Sequence, residues 1–435
     1  MIDSALDRAP FEIWERILLE VVNGTLTPIF DVTCTSSNYL AFKRTCGDGS
    51  VVHQDGYIAS EKDRVTIRYV CRAWRITVDR WDNRERWIRI STGDGHVSWE
   101  RWKGAQRIEL TSRVKKRRHN GNGPSMYQGD RFSAVLSDWR SSYLITGCSM
   151  QVKRLEMLHL NEIEFKRVVE ALCNASQALV SLRSLSLSIP VQDEYSLRMI
   201  SIHFPKLTHL TLRFAVYPAS TTLSHPPQEQ GAAIHFRTLE VLFLICIEGC
   251  YRFSNWVIPA LRHLNIRANT TLLEGTIIPF IRYKASNVET LDLEDLDEAK
   301  KWGTNQPKST GRLLAISRLC GSTVNFWDMF PQLRLLRCKL GRSAFSDCPD
   351  IHHPLDHIVH STPITSVDDM FAVLGPWLYN DQVKRLKSIV LFGPYLFSGA
   401  CIKEGHVDLL LRELRSSGIR LVNPAGRSWM DADIL

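Results

Sequence analysis

No stretch of this sequence approaches the ~18 consecutive apolar residues that a membrane-crossing helix needs, so no membrane association is expected. Residues Met1–Asp7 bring acids early and no long apolar core, which predicts no secretory signal. The 11 cysteines show no paired spacing. Without an export signal they read as free thiols in a reducing compartment, cytoplasmic or nuclear. The sequence has no Gly-x-Gly-x-x-Gly, P-loop, Gly-x-Ser-x-Gly, His-Glu-x-x-His or Cys-x-x-Cys motif. No catalytic residue, metal site or cofactor is therefore assigned. Charge of one sign is thin too: 54 Lys and Arg against 46 Asp and Glu leave +8. The acids are mixed through the chain, which makes nucleic acid an unlikely partner, and a nucleic-acid complex would show steep salt dependence. Cys348-Pro349-Asp350-Ile351-His352-His353, continuing to His357 and His360, is the one cluster with zinc-like residue types. Its spacing fits no standard site, and a polar loop with incidental histidines is the preferred reading.

What the chain does have is a recurring Leu-x-x-Leu-x-Leu skeleton. It reads at Leu155/Leu158/Leu160, Leu182/Leu185/Leu187, Leu207/Leu210/Leu212, Leu239/Leu242/Leu244, Leu261/Leu264/Ile266 and Val288/Leu291/Leu293. Weaker copies stand at Leu333/Leu336/Cys338 and Leu386/Ile389/Leu391, with Leu355/Ile358 as a truncated one between them. The alternation at the end of each skeleton has the two-residue period of a strand with one buried face. Spacings of 22 to 32 residues between the clear copies leave room for one strand and one return segment per unit. A single unit cannot bury its apolar face, whereas stacked units share a core. Phe204-Pro205, Ile258-Pro259 and Phe330-Pro331 each stand just ahead of a skeleton, an apolar plug followed by a helix stop. Phe165, Val168, Val169 and Leu172, and then Leu197, Ile200 and Phe204, form helical faces behind two of the strands. The position after each strand, where regular repeats carry asparagine, mostly holds other residues, which predicts irregular turns.

Ahead of the repeats, residues 10 to 22 read as a helix opened by Pro10, with Ile13, Ile17 and Val21 in one row and Trp14 and Leu18 in the next. Residues 24 to 59 are rich in Gly, Thr, Ser and Asp and predict a long insertion. Ser60 to Asp63 has a capping-box pattern ahead of a second helix, whose apolar face holds Ile67, Val70, Cys71, Trp74 and Val78.

The segment Ala9-Pro10-Phe11-Glu12-Ile13-Trp14-Glu15-Arg16-Ile17-Leu18 resembles the opening of an F-box, and Val70-Cys71-Arg72-Ala73-Trp74 resembles its closing helix. The order of the two motifs, the insertion between them and the following repeats resemble F-box proteins of higher fungi with irregular leucine-rich repeats. The resemblance implies an α/β chain: a small helical F-box followed by a curved leucine-rich-repeat solenoid of parallel strands and helices. It implies the substrate-recognition subunit of an SCF-type ubiquitin ligase, not an enzyme itself, that docks a Skp-type adaptor and through it a cullin. By motif position, the adaptor face is Pro10, Ile13, Trp14, Ile17 and Leu18, completed by Val70, Cys71 and Trp74. Ala9 stands where the family usually has Leu, forgoing about 1.5–3 kcal/mol of possible burial. That departure motivates the alternative, a leucine-rich-repeat protein-binding scaffold with no ligase role.

The expected domains are 1–90 with the insertion at about 24–59, a linker or early-repeat region at 91–150, and the repeat array at 151–435. Ile88, Ile90, Ile108 and Leu110 are candidate early strands, and Phe132, Val135, Leu136, Trp139 and Tyr143 step as a helix face. Lys115–Arg118 is either a nuclear import signal or a solvated loop. Residues between the leucines point to the open face. Val241, Phe243 and Ile245 make an apolar outer row there, flanked by Arg213 and Arg267, and these five are the candidate sites for an unknown protein substrate. The competing reading is a strand buried on both faces. Helices at 367–378 and 406–415 and a last strand near Ile419 close the chain.

Overall fold

The computed structural model describes residues 11–23, 51–80, 87–91, 104–111, 128–157, 162–189, 194–214, 233–246, 255–268, 286–295, 326–339, 352–363, 370–371, 373–374, 377, 386–392 and 405–422. The basic run at 115–118, most of the insertion, Ala9, Pro10 and Cys348 lie outside them. The chain divides into two compact units, Met1–Ser188 with Met199–His209, and Ile189–Arg198 with Leu210–Leu435.

The first unit opens with helices α1 (Phe11–Asn23), α2 (Val51–Val70) and α3 (Arg72–Arg80). Leu18, Ile67 and Val78 form a small buried core, with Trp74 packed on it. Helix α2 begins well before the predicted cap, so Ser60 lies inside the helix, and residues 51 to 59 of the expected insertion are helical. Four strands follow: β1 (Trp87–Ser91), β2 (Arg107–Thr111), β3 (Arg154–Met157) and β4 (Ser184–Ile189). They pair parallel in that order, and Arg107–Thr111, within the region 91–150, carries the candidate early-strand residues Ile108 and Leu110. Helix α4 (Gln128–Thr146) precedes β3, and α5 (Glu162–Asn174) with a short 3-10 turn (Ser176–Leu179) returns the chain to β4. Helix α6 (Glu194–His203) leads to β5 (His209–Phe214).

Register corrects one skeleton. Leu155 stands opposite Leu185 and Met157 opposite Leu187, so the first clear unit is Val152/Leu155/Met157 and not Leu155/Leu158/Leu160. All three are fully buried. Met157 therefore points into the core, not to the open side.

The second unit continues with β6 (Ile234–His235), β7 (Val241–Cys246), β8 (Trp256–Val257), β9 (His263–Ala268), β10 (Thr290–Asp295), α7 (Phe326–Met329), β11 (Leu335–Lys339), β12 (His357–Pro363), β13 (Ser388–Phe392), α8 (Gly405–Ser416) and β14 (Arg420–Val422). Its sheet runs β5-β7-β9-β10-β11-β12-β13-β14, and β6 and β8 pair apart from it. One register carries Leu242, Leu264, Leu291, Leu336, Ile358, Ile389 and Leu421 across seven adjacent strands. All seven are buried, as are the helix-face residues Phe165, Val168, Leu172, Leu197 and Ile200. Parallel strands with leucines stacked in register form an α/β architecture consistent with leucine-rich repeats.

Two backbone devices repeat. The plug residue accepts the N–H of the first leucine three residues on: Phe204 from Leu207, Ile258 from Leu261 and Phe330 from Leu333, at 3.0 to 3.3 Å. Proline at the second position presets that turn. Leu179 and Phe236 do the same for Leu182 and Leu239 without proline. At the starts of β3, β4, β5 and β9 to β13, two successive N–H groups donate to one carbonyl of the preceding unit. Arg183 and Ser184 use Lys153, Thr208 and His209 use Arg183, and Arg262 and His263 use Glu240. At the C-terminal end Gly418 adopts φ 75°, and Ile419 N–H reaches back to the Leu414 carbonyl. This left-handed cap ends α8 and turns the chain into β14.

Candidate functional site: the front helices and the sheet's outer face

Helix α1 splits its apolar residues between two faces. Leu18 enters the small core, and Trp14 meets Trp74 of α3 with ring centroids 5.8 Å apart. Ile13 and Ile17 remain 50% and 44% exposed, and Val21 is exposed with them, because they lie on the row turned from that core. Val65, Tyr69 and Val70 of α2 and Ile76 of α3 are exposed as well. Cys71 is an exposed free thiol at the break between α2 and α3. Its sulfur accepts the Trp74 N–H at 3.4 Å, which caps the start of α3. Of the residues expected to face an adaptor, Ile13, Ile17, Val70 and Cys71 are thus open to solvent. Trp14 and Trp74 are half-buried against each other, and Leu18 is core. Exposed large hydrophobics elsewhere are fewer and more scattered among the described residues.

The sheet's outer face carries charge in ordered pairs. In the first unit Arg107 lies over the Trp87 ring at 3.9 Å and reaches Glu156 at 2.9 Å, while Arg154 meets the same carboxylate oxygen at 2.6 Å. Arg89 pairs with Glu109 at 3.0 Å. Each pair joins neighbouring strands or residues two apart on one strand; Arg107, Arg154, Glu156 and Glu109 are buried beside an opposite charge, while Arg89 is exposed. In the second unit Asn265 donates to Asp292 at 2.7 Å, and Arg337 donates to the same oxygen at 3.1 Å, which links three strands through one carboxylate. Arg267 pairs with Glu294 at 3.2 Å.

The five candidate substrate-binding residues are brought to neighbouring strands β5, β7 and β9, but not as an open patch. Val241 and Phe243 are 1% and 2% exposed, which corrects the expectation of an apolar surface and matches the strand buried on both faces. Ile245, Arg213 and Arg267 are partly exposed. The polar outer residues His209, Thr211, His263, Asn265, Thr290 and Asp292 are buried too. The Asn265–Asp292–Arg337 link was missed from sequence. The signal was available as Asn, Asp and Arg at the same offset in successive skeletons.

The histidines of the zinc-like cluster go to separate partners. His353 donates to the Phe330 carbonyl at 2.9 Å and sits edge-on to Trp327. His357 bonds Ser388 through Nδ1 at 2.8 Å. His360 is buried where the skeleton has its last leucine, opposite Cys338 and Leu391. Burial holds the His353 imidazole below its ordinary range, against the Phe330 hydrogen bond and nearby Asp328. His357 is lowered likewise, first by burial, with Asp356 opposing and Lys387 and Arg420 adding to the shift.

No protein-family model matches this chain. No curated protein matches it. One similar solved structure is titled "Crystal structure of TLR13-ssRNA13 complex": it is 12% identical, with a TM-score of 0.30, over 56% of this chain and 32% of that one. The chain thus spans about a third of that structure's length. A likeness of this size decides nothing, and the architecture stands on the strand register alone. No helix among the described residues is long and apolar enough to cross a membrane.

Proposed function

We propose that the protein is a non-enzymatic substrate receptor of an SCF-type ubiquitin ligase, acting in the cytoplasm or nucleus. Helices α1 to α3 dock a Skp-type adaptor, which links the chain to a cullin, and the repeat units hold a protein substrate. The observation that carries this reading is the concentration of exposed apolar side chains on three short helices: Ile13, Ile17, Val21, Val65, Tyr69, Val70 and Ile76. An exposed apolar patch of this kind suits a partner surface. Three of these, Ile13, Ile17 and Val70, are positions that the F-box resemblance assigns to the adaptor, and the exposed Cys71 is a fourth. The partly exposed Arg213, Ile245 and Arg267, with Arg337 two strands beyond Arg267, are the outer-face residues through which substrate would be held.

The test is co-purification of the full chain with a Skp-type adaptor. A complex at micromolar concentration that is lost in Ile13→Asp/Ile17→Asp supports the reading. No complex at all leaves a repeat scaffold without a ligase role, the alternative that Ala9 motivates.

A further inference from the structure

Helices α4 and α5 do not close on each other along their full length. On α4, Ser133, Ser137 and Ser141 recur every fourth residue and share one face. Together with Ala171 and Asn174 of α5 they line a hollow of about 420 Å³. Small side chains on both helices leave this space. A second hollow of about 240 Å³ continues past Cys173, Ala175 and Ala178 to His203. The two share Arg140, Leu144 and Asn174 as walls, so they form one groove within the first unit.

The walls differ in chemistry. Leu144 lines both hollows and is 66% exposed. Arg140 and Arg167 face the groove with one acid, Glu170. The Cys173 thiol is pushed up to about 12 by burial and brings no negative charge. Among the described residues Arg140 makes no ion pair, so a cation stands over the groove beside Leu144.

The geometry points to a second docking site, distinct from the front helices: the α4–α5 groove takes a short acidic peptide segment of a protein partner. A carboxylate meets Arg140 and an apolar side chain lies on Leu144. The floor of serine and alanine admits the peptide backbone. Charge complementarity selects an acidic segment over a basic one, and the width between two helices suits a peptide rather than a flat protein face.

The test pans a random dodecapeptide phage library on the immobilised full chain. The expected pool carries Asp or Glu near Leu, Ile or Met. The most enriched peptide, synthesised with a fluorescent label, is then titrated by anisotropy against four variants. Arg140→Glu and Leu144→Asp, both at exposed positions, weaken it tenfold or more. Ser137→Trp, which fills the hollow without changing charge, does the same. Ile13→Asp leaves it unchanged, which separates this site from adaptor docking. Circular dichroism melts confirm that each variant is folded. A pool without acidic bias, no enrichment over uncoated support, or equal binding by Arg140→Glu and Ser137→Trp overturns the proposal.

Discussion

The rings of Trp14 and Trp74 lie 5.8 Å apart with their planes tilted by 40°, and this pair ties α1 to α3. It fixes which side of α1 is spent on internal packing and which is left for a partner. Ile13 and Ile17 fall on the free side, and Leu18 on the other.

The two sides should respond oppositely to mutation. Ile13→Asp/Ile17→Asp is expected to change stability by no more than about 0.5 kcal/mol, as surface substitutions do, while abolishing adaptor pull-down. Leu18→Ala should cost about 2–5 kcal/mol locally. It should be read as faster amide exchange in residues 11–23 and 60–80. Protection unchanged by Leu18→Ala would show that this core does not hold the helices.

Phe243 is buried at 2% exposure, so Phe243→Ala should destabilise the second unit by about 3–5 kcal/mol. A chemical denaturation curve gives the number. A loss below 1 kcal/mol would return Phe243 to the list of surface anchors.

The plug and the stop are separable at Phe204-Pro205. Phe204→Ala removes a buried ring and should cost about 3–5 kcal/mol. Pro205→Ala leaves the Leu207 N–H to Phe204 carbonyl bond in place and gives up only the preset turn, about 0.4–1 kcal/mol. Equal losses in thermal melts would contradict this division of roles.

Asp292 accepts from both Asn265 and Arg337, so Asp292→Ala takes this acceptor from two donors on two other strands. The expected loss is about 1–3 kcal/mol or more. The double variant Asp292→Ala/Arg337→Met should recover part of it, because it removes the Arg337 charge as well. No recovery in the double variant would mean that the Arg337 charge is not what the loss of Asp292 penalises.

His353 and His357 both bind protons less readily when folded than the ordinary imidazole does. The unfolded chain therefore binds more protons, and stability rises with pH. Their contribution is complete above about pH 6.5, the unfolded value, and is lost as pH falls through the lowered folded values. Melts between pH 7.5 and 5 should show this loss, and His353→Gln/His357→Gln should flatten the profile. A slope unchanged by the double variant would place the acid sensitivity elsewhere.

Much of the array was legible from residues alone. The Phe-Pro, Ile-Pro and Phe-Pro plugs were readable because proline and a large apolar side chain constrain the same turn from two directions. The helix faces Phe165–Leu172 and Leu197–Phe204 were readable because periodicity there has one interpretation. Residues 152 to 160 were not, since Val152/Leu155/Met157 and Leu155/Leu158/Leu160 both fit the skeleton. Only the neighbouring strand, by setting Met157 against Leu187, chooses between them. At the front, the two rows of α1 were visible, but which row faces inward depends on Ile67 and Val78, far along the chain. The burial of Val241 and Phe243 was open for a similar reason: a strand apolar on both faces says nothing of what lies over it.

The paired amide donors at the starts of β9 to β13 have a consequence for how such a chain can diverge. At these starts one peptide oxygen of the preceding strand takes both amides, the parallel ladder runs on from there in register, and the length of spacer between rows plays no part in that fastening. The interval from Leu242 to Leu264 is 22 residues and that from Leu291 to Leu336 is 45, yet both end flush in the same row. Insertions can accumulate between rows, as between shingles nailed along one edge, without moving the wall they hang on.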